Sequence, residues 1–173
     1  MTIYSVVSVE DLAQVVRGVP TARSVEIASD GINYNYLDKD ADLMRIIMVL
    51  VDPERLTAST GMRMPPNHIL AGVLAANSWN GSPDAHGTLS YLLVDDDTQF
   101  LALESHIMLR GGVDADNIEG WVRNFNDRIN RFEEAATSAI RDLGSDDDVS
   151  GSKASSGEGW RMLGQFASGF LKS

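Results

Sequence analysis

The chain of 173 residues has no cysteine, which excludes disulfides and thiolate metal sites and fits a reducing compartment. No apolar run approaches the ~18 residues of a membrane-crossing helix. The start lacks the basic n-region of a secretory signal, and Glu10 and Asp11 interrupt its apolar stretch. Cytoplasm is the expected location. Basic residues are scarce too: 14 Lys and Arg stand against 25 Asp and Glu, a formal net charge of −11. Phosphate neutralisation needs clustered Lys and Arg. Here Arg123, Arg128 and Arg131 are interleaved with Asp127, Glu133 and Glu134, so no nucleic-acid binding is expected. An acidic surface also repels anionic lipid heads, and no stable membrane insertion is expected. It serves solubility, and it suits holding an apolar or basic polypeptide segment.

Motifs that carry chemistry are missing as well. His68, His86 and His106 fall at a helix start, a loop and a strand, without zinc-ligand spacing. Asp38, Asp40 and Asp42 have the spacing that opens an EF-hand loop, but Leu43 stands where its glycine belongs and Val49 where its glutamate does. Asp95-Asp96-Asp97 reads as a solvated turn. Gly111-Gly112 has no phosphate-loop context and serves to turn the backbone from strand to helix. No serine sits in a Gly-x-Ser-x-Gly elbow. The expectation is a non-enzymatic protein with no catalytic residue, cofactor or metal. A pocket of carboxylates with His106, binding a small molecule or running a reaction, is the rival without a motif.

What is present is an ordinary globular composition, 43% hydrophobic and 23% charged, at a length suited to one domain. Ser8-Val9-Glu10-Asp11 starts a capped helix with Leu12, Val15 and Val16 on its stripe, stopped by Gly18 and Pro20. Three strands follow over Val25–Ala28, Ile32–Leu37 and Leu43–Val51, the last apolar on both faces. Glu54 to Met64 reads as an irregular polar connection. A helix runs from Pro65-Pro66 to about Ser78, with Ile69, Leu70, Val73, Leu74 and Asn77 sharing one face. Thr88–Val94 and Gln99–Leu109 form a hairpin, with Leu101, Leu103, Ser105, Ile107 and Leu109 as its core-facing set. Asp114 caps a closing helix ended by Gly144. Its seam of Ile118, Val122, Phe125, Ile129, Phe132, Ala136, Ala139 and Leu143 is spaced 4, 3, 4, 3, 4, 3, 4, a 3.5-residue repeat.

The predicted fold is α+β: a five-stranded antiparallel sheet with helices packed on it, in the order α-β-β-β-α-β-β-α. The domain covers residues 1–143. Residues 144–159 read as an acidic Gly/Ser linker. Residues 160–173 read as a short amphipathic tail in which Trp160, Leu163, Phe166, Ala167 and Phe170 share a helical face. That tail is open to three readings: mobile, docked on this or a second protomer, or in contact with a membrane or partner.

Ala76-Asn77-Ser78-Trp79-Asn80, the hairpin segment Leu89 to Asp97, Leu101-Ala102-Leu103-Glu104, and Gly111-Gly112-Val113 before a long helix with Phe125 and Phe132 together resemble the YbjN-domain family over about residues 8–143. That family is similar in fold to the class I chaperones of type III secretion. The resemblance implies a non-enzymatic, dimeric, chaperone-like α+β protein of the bacterial cytoplasm. Family members are described as proposed sensory-transduction regulators, and the related chaperones hold extended client segments on apolar grooves and strand edges. The resulting expectation is a polypeptide-binding regulator or chaperone-like protein acting as a homodimer, with a dedicated chaperone of an exported client as the alternative. Trp79, Trp121 and Phe125 are the candidate partner contacts, because Trp is favoured at interface hot spots. Packing between helix and sheet is the competing role for each Trp. Trp121 lies beside the seam and widens it, which suggests a second contact.

Overall fold

In the computed structural model, residues 3–4, 6–38, 43–65, 68–95 and 98–143 are described. The linker and tail expected over 144–173 lie outside them, as do most of the predicted Asp38–Asp42 turn and part of the Asp95–Asp97 turn. The elements are β1 (Ile3–Tyr4), α1 (Val9–Arg17), β2 (Ala22–Ile27), β3 (Gly31–Asp38), β4 (Leu43–Asp52), β5 (Arg55–Met64), α2 (Ile69–Asn80), β6 (Thr88–Asp95), β7 (Thr98–Met108), β8 (Val113–Asp114) and α3 (Ala115–Leu143). Six strands form an antiparallel sheet in the order β2-β3-β4-β5-β7-β6, and β1 pairs with β8 beside it.

The sheet therefore has six strands where the sequence predicts five. The added strand is β5, in the stretch expected to be irregular. Its inward positions are Leu56, Ala58, Thr60, Met62 and Met64. Ala58 and Thr60 are small or polar, so the alternation that betrays a strand is faint. Thr60 is buried because its hydroxyl donates to the Ile46 carbonyl at 3.0 Å. Ala58 is registered against Ser105, whose Oγ accepts from Trp121 Nε1 at 3.0 Å.

The helix starts follow the capping chemistry in the sequence. Ser8 Oγ accepts the Asp11 amide at 3.1 Å, and Asp114 Oδ1 accepts the Asn117 amide at 2.7 Å. Gly111 and Gly112 both take positive φ, 91° and 83°, in the turn from β7 to β8. At Gly31 the need is proximity: a Cβ there would lie 2.0 Å from the Val49 carbonyl oxygen.

All three helices lie on one face of the sheet. The seam of α3 is buried through Ile118, Val122, Phe125, Ile129, Phe132 and Ala136, as the spacing predicts. At the next turn the buried residue is Ile140, and Ala139 is only partly covered. A straight helix turns every 3.6 residues, so a strict 3.5-residue seam drifts off the contact line after several turns. Beside the seam runs a polar line at the same period. Asn126 Oδ1 accepts from the Tyr34 hydroxyl at 2.8 Å, and its Nδ2 donates to Thr21 Oγ1 at 3.0 Å. Asn130 donates to the Tyr36 hydroxyl at 3.1 Å, and Glu133 pairs with Arg45, Nη2 to Oε2 2.6 Å. These bonds fix how α3 lies across β3 and β4. Burial pushes the Tyr34 hydroxyl well above the usual tyrosine range, against the opposing pull of its bond to Asn126.

Candidate functional site

A helix packed on a sheet normally turns its larger apolar residues inward. In α2 the arrangement is reversed. Ala71, Gly72, Ala75, Ala76 and Trp79 are buried. Ile69, Leu70, Val73 and Leu74 are 46%, 71%, 40% and 39% exposed. The face that Ile69, Leu70, Val73, Leu74 and Asn77 share in the sequence is thus the outer one. The small inner face brings α2 close to its neighbours: a Cβ on Gly72 would lie 2.8 Å from Leu92 Cδ1 and 3.4 Å from Met64 Cε. No charged residue occurs between Ile69 and Asn80, so the strip has no ionic group of its own.

The C-terminal turn of α2 is pinned by the segment Trp79-Asn80. Trp79 Nε1 donates to Thr88 Oγ1 at 3.1 Å, and Thr88 Oγ1 donates to the Ala85 carbonyl at 2.8 Å. The Trp79 ring meets Phe132 edge-on, with centroids 5.3 Å apart and planes at 76°. Asn80 brackets the backbone of Ser90, accepting its N–H and donating to its carbonyl, both at 2.8 Å. Those two groups are therefore turned away from β7, toward the free edge of the sheet. By the antiparallel alternation, Leu92 and Val94 aim their backbone groups the same way. Asn80 closes this edge at one point, and Val94, two residues beyond Leu92, is largely exposed. The opposite edge, β2, carries a bulge between Arg23 and Glu26 with Ser24 at φ 50°, which spoils it as a template.

Of the three expected partner contacts, two belong to the interior. Trp79 is 3% exposed and Phe125 1%. Each packs its ring into the core, as the packing alternative for Trp79 expects and as the seam position of Phe125 dictates. Trp121 is partly buried against the core, and its indole N–H is already engaged by Ser105. The structure does not bring the three together on a surface. The exposed α2 strip was visible as a stripe but was not singled out as a contact.

The outer face of the sheet has no covering element among the described residues. Ile46, Met48, Leu50, Leu93 and Tyr91 are half-buried there, around Phe100 and Ala102, which are buried without joining the main core. A polar row crosses this face. Tyr91 Oη donates to Glu104 Oε2 at 2.8 Å, Glu104 Oε1 lies 3.3 Å from His106 Nε2, and His106 Nδ1 lies 3.3 Å from Thr57 Oγ1. Burial, then the Glu104 charge, pushes the Tyr91 hydroxyl well above its usual range. His68 and His86 lie at the start of α2 and after the Pro83–Ala85 turn, away from this row. Among the described residues no cluster of three or more His, Asp or Glu could hold a metal ion, and no helix is long and apolar enough to cross a membrane.

No protein-family model matches the chain, and no curated protein does. Among solved structures it is similar to YbjN of E. coli, a proposed transcription regulator, at TM-score 0.63 and 14% identity, over 79% of this chain and 96% of that one. It is also similar to an uncharacterized protein of Methanothermobacter thermautotrophicus, at TM-score 0.50 and 10% identity, over 78% and 99%. The chain has the fold of YbjN.

Proposed function

We propose that this protein is a polypeptide-binding regulator of chaperone-like fold that works by contact rather than chemistry. The observation that carries the reading is the inverted α2, with small residues inside ahead of Trp79 and Ile69, Leu70, Val73 and Leu74 outside. Four such side chains offer on the order of 300 Å² of apolar surface, patch-sized for a monomer and often functional at that size. A stable protein–protein interface wants roughly 800 Å² per partner. The strip alone is thus scaled for an amphipathic helical segment laid against it at i, i+3, i+4 positions. The polar rim and acidic body favour a segment with basic flanks. The wider outer face of the sheet, with Met48, Leu50, Leu93 and Phe100, is the surface on which two copies would meet as a homodimer. The likeness to a proposed regulator fits this reading.

The test is a fluorescence-anisotropy panel of labelled amphipathic helical peptides, with and without flanking Lys and Arg, against the full chain and its Leu70→Glu/Val73→Glu variant. Basic-flanked peptides bind the wild type, and the variant loses that binding while melting at the same temperature. Equal binding by both proteins, or none by the wild type even at millimolar peptide, would remove the strip from the account.

A further inference from the structure

The chain also carries, outside its described residues, a segment with the chemistry this strip accepts. Between Gly159 and Ser173 there is no acidic residue, Arg161 and Lys172 are basic, and Trp160, Leu163, Phe166, Ala167 and Phe170 recur at helical spacing. Residues 1–143 hold 11 basic and 21 acidic groups, so segment and body are of opposite sign. We propose that residues 160–173 occupy the α2 strip of their own protomer and act as a built-in competitor for partner segments. This inference rests on the reading of the strip as a polypeptide-binding face.

The geometry of the helices makes the seat reachable. Contacts along α3 run in order from Trp121 at Ser105, through Asn126 at Tyr34 and Asn130 at Tyr36, to Glu133 at Arg45. The helix therefore climbs toward the end of the sheet where β4 begins. α2 starts at that same end, with Gly72 against Met64 and Leu92, and descends to Trp79 at Thr88. The last turn of α3 and the first turn of α2 thus lie at one end of the molecule. The Gly-, Ser- and Asp-rich stretch 144–159 would span roughly 20–24 Å as a coil. The strip itself, on a helix of 12 residues, is about 18 Å long. Tethered at this distance, a segment meets its seat at an effective concentration in the millimolar range. Contacts too weak to hold a free peptide would then suffice, and a partner must outcompete them.

The absence of cysteine allows a clean test. A spin label on Ser168→Cys in the full chain should remove most of the amide intensity of residues 69–77 and spare β3 and β4. Leu70→Glu, a substitution at an exposed side chain, should restore it. Isotope-labelled chain mixed with spin-labelled but isotope-free chain should show no such loss. Loss in the mixed sample would assign the segment to a second copy and overturn the proposal. Loss on the outer face of the sheet, or none anywhere, would overturn it as well. This readout needs no external partner, so the segment can fail to dock while the strip still binds peptides, and the two failures are separable.

Discussion

Helices α2 and α3 pack side by side on one sheet and distribute their residues in opposite ways. α3 places Ile118, Val122, Phe125, Ile129 and Phe132 inward and charged groups outward. α2 places alanine, glycine and, in its last turn, Trp79 inward and isoleucine, leucine and valine outward. The difference separates two uses of apolar surface. In α3 it fills the core, while in α2 the core needs only a thin side, and the bulky side is left for something else. Leaving four aliphatic side chains in water contributes nothing to folding, so stability gives no reason for their size.

The largest expected effect tests the α3 half of this contrast. Phe132→Ala removes a buried ring and its edge contact with Trp79, and should cost about 3–5 kcal/mol in urea unfolding. Leu70→Ala, which deletes a comparable aliphatic group from the other helix, should stay within about 0.5 kcal/mol. Equal losses would erase the distinction. Next comes the inner side of α2. Ala75 is buried, and Ala75→Leu should destabilise by about 1–3 kcal/mol through overpacking. An unchanged midpoint would mean that the inner side has room and that α2 can roll.

The polar line of α3 gives a pH-dependent check. The Tyr34 hydroxyl is raised in the folded state by burial, whereas an unfolded tyrosine ionises near 10. Above pH ~10 the unfolded chain releases a proton that the folded chain keeps. Stability is therefore whole below pH ~10 and falls as pH rises, by up to about 1.4 kcal/mol per pH unit for this residue. Tyr34→Phe should flatten that alkaline slope, measured by denaturant midpoints between neutral and alkaline pH. A slope unaltered by the substitution would place the Tyr34 proton elsewhere in the balance. The smallest stability effect belongs to Leu70→Glu, within about 0.5 kcal/mol, paired with the largest effect on peptide binding.

Much of this architecture was legible in the sequence, and the exceptions share a cause. Large side chains at a regular period announce themselves, as in the α3 seam. Caps at Ser8 and Asp114 and the Gly111-Gly112 turn need particular residues and could be read directly. β5 was not legible because its middle carries Ala58 and Thr60 inward and Gly61 outward, which leaves little apolar alternation to read. The line Asn126, Asn130, Glu133 is spaced 4 and 3 like the seam, and could have been found by matching it to Tyr34 and Tyr36, two apart on a strand. The stripe on α2 was readable, but its direction was not. A period says that a helix has two sides, and only the closeness of Leu92 and Met64 to Gly72 decides which side goes in. For Trp79 the sequence offers both a partner contact and packing between helix and sheet, and the Thr88 acceptor that holds it inside is apparent only in three dimensions.

The most direct measurement is an amide chemical-shift map of the isotope-labelled full chain during titration with a basic-flanked amphipathic peptide. The account predicts shifts clustered at Ile69, Leu70, Val73, Leu74 and Asn77. Shifts centred on Ile46, Met48 and Phe100 across the open sheet, with α2 silent, would contradict it.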